Sequence, residues 1–252
     1  MLVLKSKDDI KKMKIAGEIS VGALKIAKEA LAPGVTTASV DSEIYKYILS
    51  RNATPSFLGY RGFPNSTCIS INEEVIHGIP SDRKIRDGDI VSIDVGAIYE
   101  GFHGDTAATF AIGSITEEDK KLLDVTKECL RRAIEIAKKP YRIGDIGYTV
   151  STYANENGFS AVEAYTGHGL GRSLHESPDV PNFGKKGRGL RLVEGMTIAI
   201  EPMINEGTEQ IKVLDDGWTV VTLDKKKSAH FEMSIAITDS EPIILTNWYE
   251  VL

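Results

Sequence analysis

Two stretches of this chain, 110 residues apart, are built alike. Ser6-Lys-Asp-Asp9 opens a segment in which Ile10, Met13, Gly17, Val21, Leu24, Ala27 and Leu31 recur at spacings of three and four. Thr116-Glu-Glu-Asp119 opens another, with Leu122, Val125, Cys129, Ala133 and Ile136. A hydroxyl residue followed three positions on by an acid, ahead of such a pattern, is a helix start. The offset persists at Ala27-Lys28 against Ala137-Lys138, Gly34 against Gly144 and Val40 against Val150. Each glycine is expected to end a long helix before a shorter one, near 37–51 and 147–157. The echo continues with a drifting offset: "HGIP" at 77–80 against "HESP" at 175–178, and "DGDIVSID" at 87–94 against "EGMTIAIE" at 194–201. One match is chance; four in the same order imply two related halves, each helix, helix, strands. No Pro/Gly/Ser-rich linker separates them, so residues 1–252 are expected to form a single α/β domain with its site between pseudo-symmetric halves.

Period-two reading assigns faces to the strands. In 90–98, Val91, Ile93, Val95 and Ala97 share one face, and Ser92, Asp94 and Gly96 the other. In 102–110, Asp105 lies with His103, Ala107 and Thr109. A two-residue turn at Glu100-Gly101 sets Asp94 opposite Ala107 and makes Asp105 its diagonal neighbour, ~7–8 Å away. In 196–201, Glu201 aligns with Ala199 and Thr197; in 228–237, Glu232 lies with Ser228, His230, Ser234 and Ala236. A solvated sheet face would also be polar, but it usually carries lysine, arginine and threonine in quantity. These faces carry carboxylates among small side chains, which leaves room in front of each carboxylate.

Four converging carboxylates carry about −4, and no lysine or arginine within these strands offsets them. Two divalent cations would, and an oxygen-rich set with an imidazole suits Co, Mn, Fe or Zn. The two cysteines, Cys68 and Cys129, exclude a thiolate site and a disulfide framework. "YTGHGLGRSLHESP" at 165–178 is the obvious source of nitrogen ligands: His168 stands among Gly167, Gly169 and Gly171, expected to let backbone approach the site, and His175 follows. His103 and His230 are weaker candidates, expected behind the ligands or on the surface, with no direct part.

The partners follow from charge and hydropathy. A net charge of −6 argues against nucleic-acid binding, which usually needs a basic stripe. No apolar run approaches the ~18 residues of a membrane span. The opening "MLVLKSKDDIKKMKIAGEIS" lacks a signal peptide's apolar stretch and cleavage site, so a cytoplasmic location is expected.

Asp94, Asp105 of "HGDTA", His168 of "TGHGLG", Glu201 of "IEP" and Glu232 of "HFEMS" resemble, in order and context, the five metal ligands of methionine aminopeptidases. "GFPNSTCISINEEVIHGIP" at 62–80 is similar to a stretch characteristic of the short bacterial type I form. The resemblance implies the pita-bread fold, an antiparallel sheet covered by helices on one side, with two metal ions between the halves. It implies removal of methionine from the N-termini of nascent proteins and peptides, near the ribosome and by a monomer, when the second residue is small. Glu201 would be both ligand and general base, with His77 near the scissile nitrogen and His175 near the substrate carbonyl. Phe57, Tyr60, Phe63, Cys68, Leu174 and Trp218 would form the methionine slot. Prolidase and aminopeptidase P share the fold and ligands but normally carry a large preceding domain; a non-enzymatic binding protein would have lost ligands. The sequence departs from the family pattern at Arg61, Gly96, Leu174 and Met233-Ser234, none of them a ligand position.

Overall fold

The computed structural model describes residues 2–249. Helix α1 (Lys7–Ala30) and helix α3 (Glu117–Glu135) start on the same reciprocal device. The Ser6 hydroxyl accepts from the Asp9 N–H at 3.2 Å while the Ser6 N–H reaches the Asp9 carboxylate at 3.0 Å. Thr116 and Asp119 repeat this at 3.1 Å in both directions. Two otherwise unpaired N–H groups are satisfied at each start. Helix α2 (Thr37–Ser50) is capped by Thr36, and helix α4 (Ile143–Glu156) by the Asp145 carboxylate on the Arg142 N–H.

The expectation for the paired glycines fails. Helix α1 ends at Ala30, and Gly34 makes a turn beyond it at φ +90°. Gly144 lies inside the first turn of α4, which starts at Ile143 rather than near 147. A Cβ on Gly144 would sit 2.6 Å from the Arg188 carbonyl oxygen, so close backbone approach, not a left-handed cap, explains this glycine.

A nine-stranded sheet holds both halves together. Its central strands, Phe102–Ala111 and Glu232–Ala236, pair antiparallel. Outside them lie Ile90–Tyr99 and Thr197–Ile200, and beyond these Thr67–Ile71 and Thr166–Gly169, every pair antiparallel. These six strands form three matched pairs about the centre, so Asp94 and Glu201, and Asp105 and Glu232, occupy equivalent places in the two halves. The hairpin register is the expected one, with Asp94 opposite Ala107 and Asp105 opposite Gly96. Glu100 and Gly101 both take positive φ, +47° and +77°, the twist a two-residue hairpin turn requires.

Ile93, Val95, Ile198, Ile200, Met233 and Ile235 join side chains from all four helices in one buried core. Helix α1 comes so close to the sheet that a Cβ on Gly104 would lie 2.4 Å from the Gly17 nitrogen. Among the described residues, no helix is long and apolar enough to cross a membrane.

The 228–237 stretch, expected as one strand, breaks at Phe231. Glu232–Ala236 stays in the large sheet, whereas Ser228–His230 pairs with Met203–Asn205 in a separate three-stranded sheet. The neighbouring segment breaks at the same level, where Pro202 has no N–H to continue the ladder and its carbonyl takes the Phe231 N–H at 3.3 Å. Glu201 and Glu232 therefore stand at a shared bend, on the sheet face opposite the helical core.

A candidate metal centre between the halves

A cavity of about 290 Å³ opens on that face. It is lined by Asp94, Asp105, His168, Glu201 and Glu232, by His77 and His175, and by Phe57, Tyr60, Phe63, Cys68, Leu174 and Trp218. Every site residue singled out in the sequence thus meets in one place. Arg61, Ala164, Tyr165 and Thr166 also line it and were not singled out for the site.

The backbone beneath the carboxylates is pinned. Ser234 Oγ donates to the Asp105 carbonyl at 2.7 Å. Thr106 Oγ1 and Trp248 Nε1 both donate to the Glu232 carbonyl, at 2.8 and 2.9 Å. Asn182 Nδ2 donates to the Glu201 carbonyl at 3.0 Å. Three side-chain oxygens get no such support: Asp94 Oδ1, Asp105 Oδ1 and Glu232 Oε1 are buried without a hydrogen-bond partner. Buried polar atoms are nearly always paired, so three orphans in one cavity need an explanation.

His168 supplies part of it. Its Nδ1 lies 2.9 Å from the Gly169 carbonyl, which can only accept, so the proton is on Nδ1 and Nε2 presents a lone pair. That Nε2 faces Asp105 Oδ2 at 3.7 Å and Glu201 Oε1 at 3.5 Å, electron-rich atoms that a shared cation would reconcile. Ligand atoms of Asp105, His168 and Glu232 lie within 4.8 Å of one another. Ligands on opposite sides of one cation at ~2.1 Å each are about 4.2 Å apart, so little closure is needed. Among the described residues, the basic groups within 4 Å of Asp105 and Glu201 are imidazoles only, and Asp94 and Glu232 have none.

Electrostatics follows the geometry. Burial, then the charges of Asp105 and Glu201, pushes the Asp94 carboxyl well above its ordinary range. Burial and its acidic neighbours do the same to Glu232, burial and Asp105 to Glu201, and burial lifts Asp105 to about 7. Burial pushes His168 down to about 3. Without a cation the site disfavours both carboxylate anions and imidazolium; divalent cations would offset the acids' charge and release their protons on binding. The residues present therefore fit a divalent-cation centre.

His175 Nδ1 is 2.9 Å from the Tyr60 hydroxyl, and its ring lies 4.0 Å from that of His168. His77 follows the Glu74–Ile76 strand at φ +59° and packs edge-on to Tyr165 and Trp218. Phe57, Phe63, Cys68 and Leu174 are buried together, with Tyr60, Ile79 and Trp218 packed on them. Burial raises the Cys68 thiol well above its usual range, so it is a neutral wall.

Several expectations need revision. His230, set aside in the sequence, is buried with Nε2 3.7 Å from Glu201 Oε2. Its membership of the Glu232 face was the available signal. His103 is likewise buried, bonded through Nδ1 to Ser56 Oγ at 2.9 Å, which settles the choice between a place behind the ligands and one on the surface. Gly167 and Gly169 bring strand backbones together, not backbone to site: a Cβ would lie 2.4 Å from the Ala199 oxygen or 2.5 Å from the Ser177 oxygen. At Gly96 a Cβ would meet Ser56 at 2.8 Å, so this departure from the family pattern is matched to its own neighbours.

The profile of metallopeptidase family M24 matches residues 11–239. A methionine aminopeptidase from Clostridium perfringens is 49% identical over 246 residues, 98% of this chain and 99% of that protein. The crystal structure of methionine aminopeptidase from Rickettsia prowazekii has a TM-score of 0.96 at 41% identity, covering 98% of this chain and 100% of that one. Prolidase from Pyrococcus furiosus has a TM-score of 0.78 at 25% identity, and 65% of its length is covered. The architecture is the pita-bread fold. Matched along almost its whole length, in sequence and in fold, the chain belongs to metallopeptidase family M24, within its methionine aminopeptidases.

Proposed function

We propose that this chain removes the N-terminal methionine of proteins and peptides whose second residue is small, using two divalent cations of the Co, Mn, Fe or Zn class. The observation that carries the reading is the cluster of buried carboxylates with orphaned oxygens around the lone pair of His168. Asp94, Asp105, His168, Glu201 and Glu232 would hold the cations. When bound, these would neutralise the carboxylates, polarise the scissile carbonyl and lower the pKa of a water molecule.

The chain's own residues do the rest. Glu201, with one oxygen toward His168 and the other toward His230, accepts the proton of the attacking water and passes it toward the leaving amine. His77 hydrogen-bonds at the scissile nitrogen. His175, oriented by Tyr60, donates toward the carbonyl oxygen as charge develops there. The aromatic slot takes the thioether, each sulfur–aromatic contact contributing ~0.3–1.5 kcal/mol. The cavity of about 290 Å³ lies at the low end of ligand pockets (~300–1,000 Å³), a size that suits a short side chain beside the bound methionine better than a long one. Acting as a monomer in the cytoplasm, the enzyme would meet nascent chains near the ribosome.

The test is turnover of a Met-Ala-Ser peptide by metal-depleted protein, with Co, Mn, Fe or Zn restored singly. Activity should vanish on depletion and return with at least one metal. Full activity after depletion would overturn the metal centre, and faster release of Pro-linked residues than of methionine would move the assignment to the prolidase branch.

A further inference from the structure

The proposed mechanism leaves one buried ion pair unused. Lys5 immediately precedes the cap of α1, and its side chain is only 4% exposed. Its ammonium donates to the Val3 carbonyl at 3.0 Å and is ion-paired with Glu176, whose side chain is 12% exposed. Burying a lysine is costly unless it is paired and hydrogen-bonded, and a buried pair is weak evidence of net stabilisation. What it gives more dependably is a fixed geometry. The Lys5 N–H adds a bond to the Gly195 carbonyl at 2.7 Å, so the segment carrying the ammonium is itself anchored.

Glu176 is the residue after His175. Its Oε1 accepts the Ser173 N–H at 3.1 Å, closing a short ring of backbone around Leu174 and His175. Its Oε2 takes Lys5, so the carboxylate ties this loop to the segment before α1. Gly171 makes the contact possible: a Cβ there would lie 2.3 Å from Lys5 Cε and 2.8 Å from Glu176 Oε1. Glu176 also stands opposite Gly169, beside the irregularity that separates His168 from Gly169. The pair thus adjoins the segments that carry His168 and His175.

We propose that Lys5 is a positioning residue, which through Glu176 holds the Gly171–Glu176 loop so that His175 meets the substrate carbonyl. This rests on the role given to His175 above. Lys5 touches neither substrate nor cation, and its effect is to be read in turnover rather than in binding. Misplacing a reacting group by 1 Å can cost ~10²-fold.

The experiment uses full-length, metal-loaded protein and four variants: Lys5→Met, Lys5→Met/Glu176→Gln, His175→Ala, and Lys5→Met/His175→Ala. Lys5→Met should lower kcat by roughly 10- to 100-fold, with KM within about twofold and metal content unchanged. Lys5→Met/Glu176→Gln leaves no unpaired buried charge; its kcat should stay low, and it carries the test if Lys5→Met does not fold. On the His175→Ala background, Lys5→Met should cost nothing further, because contacts acting through one group are not additive. Unchanged kcat in a folded Lys5 variant, or an equal further loss on the His175→Ala background, would overturn the proposal. Full activity of His175→Ala alone would instead remove the role of His175 on which it depends.

Discussion

His77 shows how backbone and chemistry can be separated at a single residue. Its φ of +59° lies in the left-handed region, which costs a non-glycine residue about 1 kcal/mol or more. His77→Gly should therefore melt no lower than His77→Ala. Both should lose turnover by roughly 10²–10⁴-fold, as for a lost transition-state hydrogen bond. Metal content should stay at the wild-type level, because His77 is not a ligand in this reading. Metal loss in either variant would make it one. Glu201→Gln changes the side chain by one heavy-atom identity and removes a base and a unit of ligand charge. It should fold and lose turnover; a near-normal rate with metals loaded would rule out Glu201 as the proton acceptor.

At the scale of elements, α1 and the sheet meet backbone to backbone. Gly104→Ala would place a methyl 2.4 Å from the Gly17 nitrogen, backbone that cannot rotate away. Overpacking of this kind costs ~1–3 kcal/mol, so the variant should melt several degrees lower while keeping its metal-binding strand. An unchanged melting temperature would show that α1 is free to move. Much of this architecture was legible beforehand. Alternation in 90–98 and 102–110 put Asp94 and Asp105 on one face because period two has no other solution once the turn is placed. Both capping boxes were readable because they are local. The misreadings were of things that are not local. Gly144 and Gly167 are glycines because another segment's carbonyl passes beside them, and a sequence does not say which segment. The break at Phe231 depends on Pro202 in a neighbouring strand. The proposed methionine slot is drawn from separate segments with no common period, so it was reached through the family resemblance, not through pattern.

For the whole molecule, the buried acid cluster should dominate the pH dependence of the metal-depleted protein. Burial pushes His77 and His103 down to about 4, and His168 and His230 to about 3. Below the ordinary histidine range the unfolded chain binds more protons than the native one, so these groups make stability rise with pH up to about 6.5. Above that both states hold them neutral and their influence ends. Asp94, Glu201 and Glu232 are raised well above ordinary values, and Asp105 to about 7. Here the native state keeps protons the unfolded state has shed, so the stability they contribute is present at low pH and lost as pH climbs through their folded values. The two sets oppose one another in mild acid; past about 6.5 only the carboxylates act. Metal-depleted protein should therefore melt at progressively lower temperature from pH 6.5 to 8.5. Glu201→Gln, with one buried acid fewer, should show a shallower decline. Divalent cations bind the deprotonated carboxylates and so should raise the melting temperature most at the alkaline end, flattening the profile. Calorimetry across this range, with and without added Mn or Co, decides the matter. A metal-depleted melting temperature that holds level or rises from pH 6.5 to 8.5 would mean that the four carboxylates are not the uncompensated cluster described here.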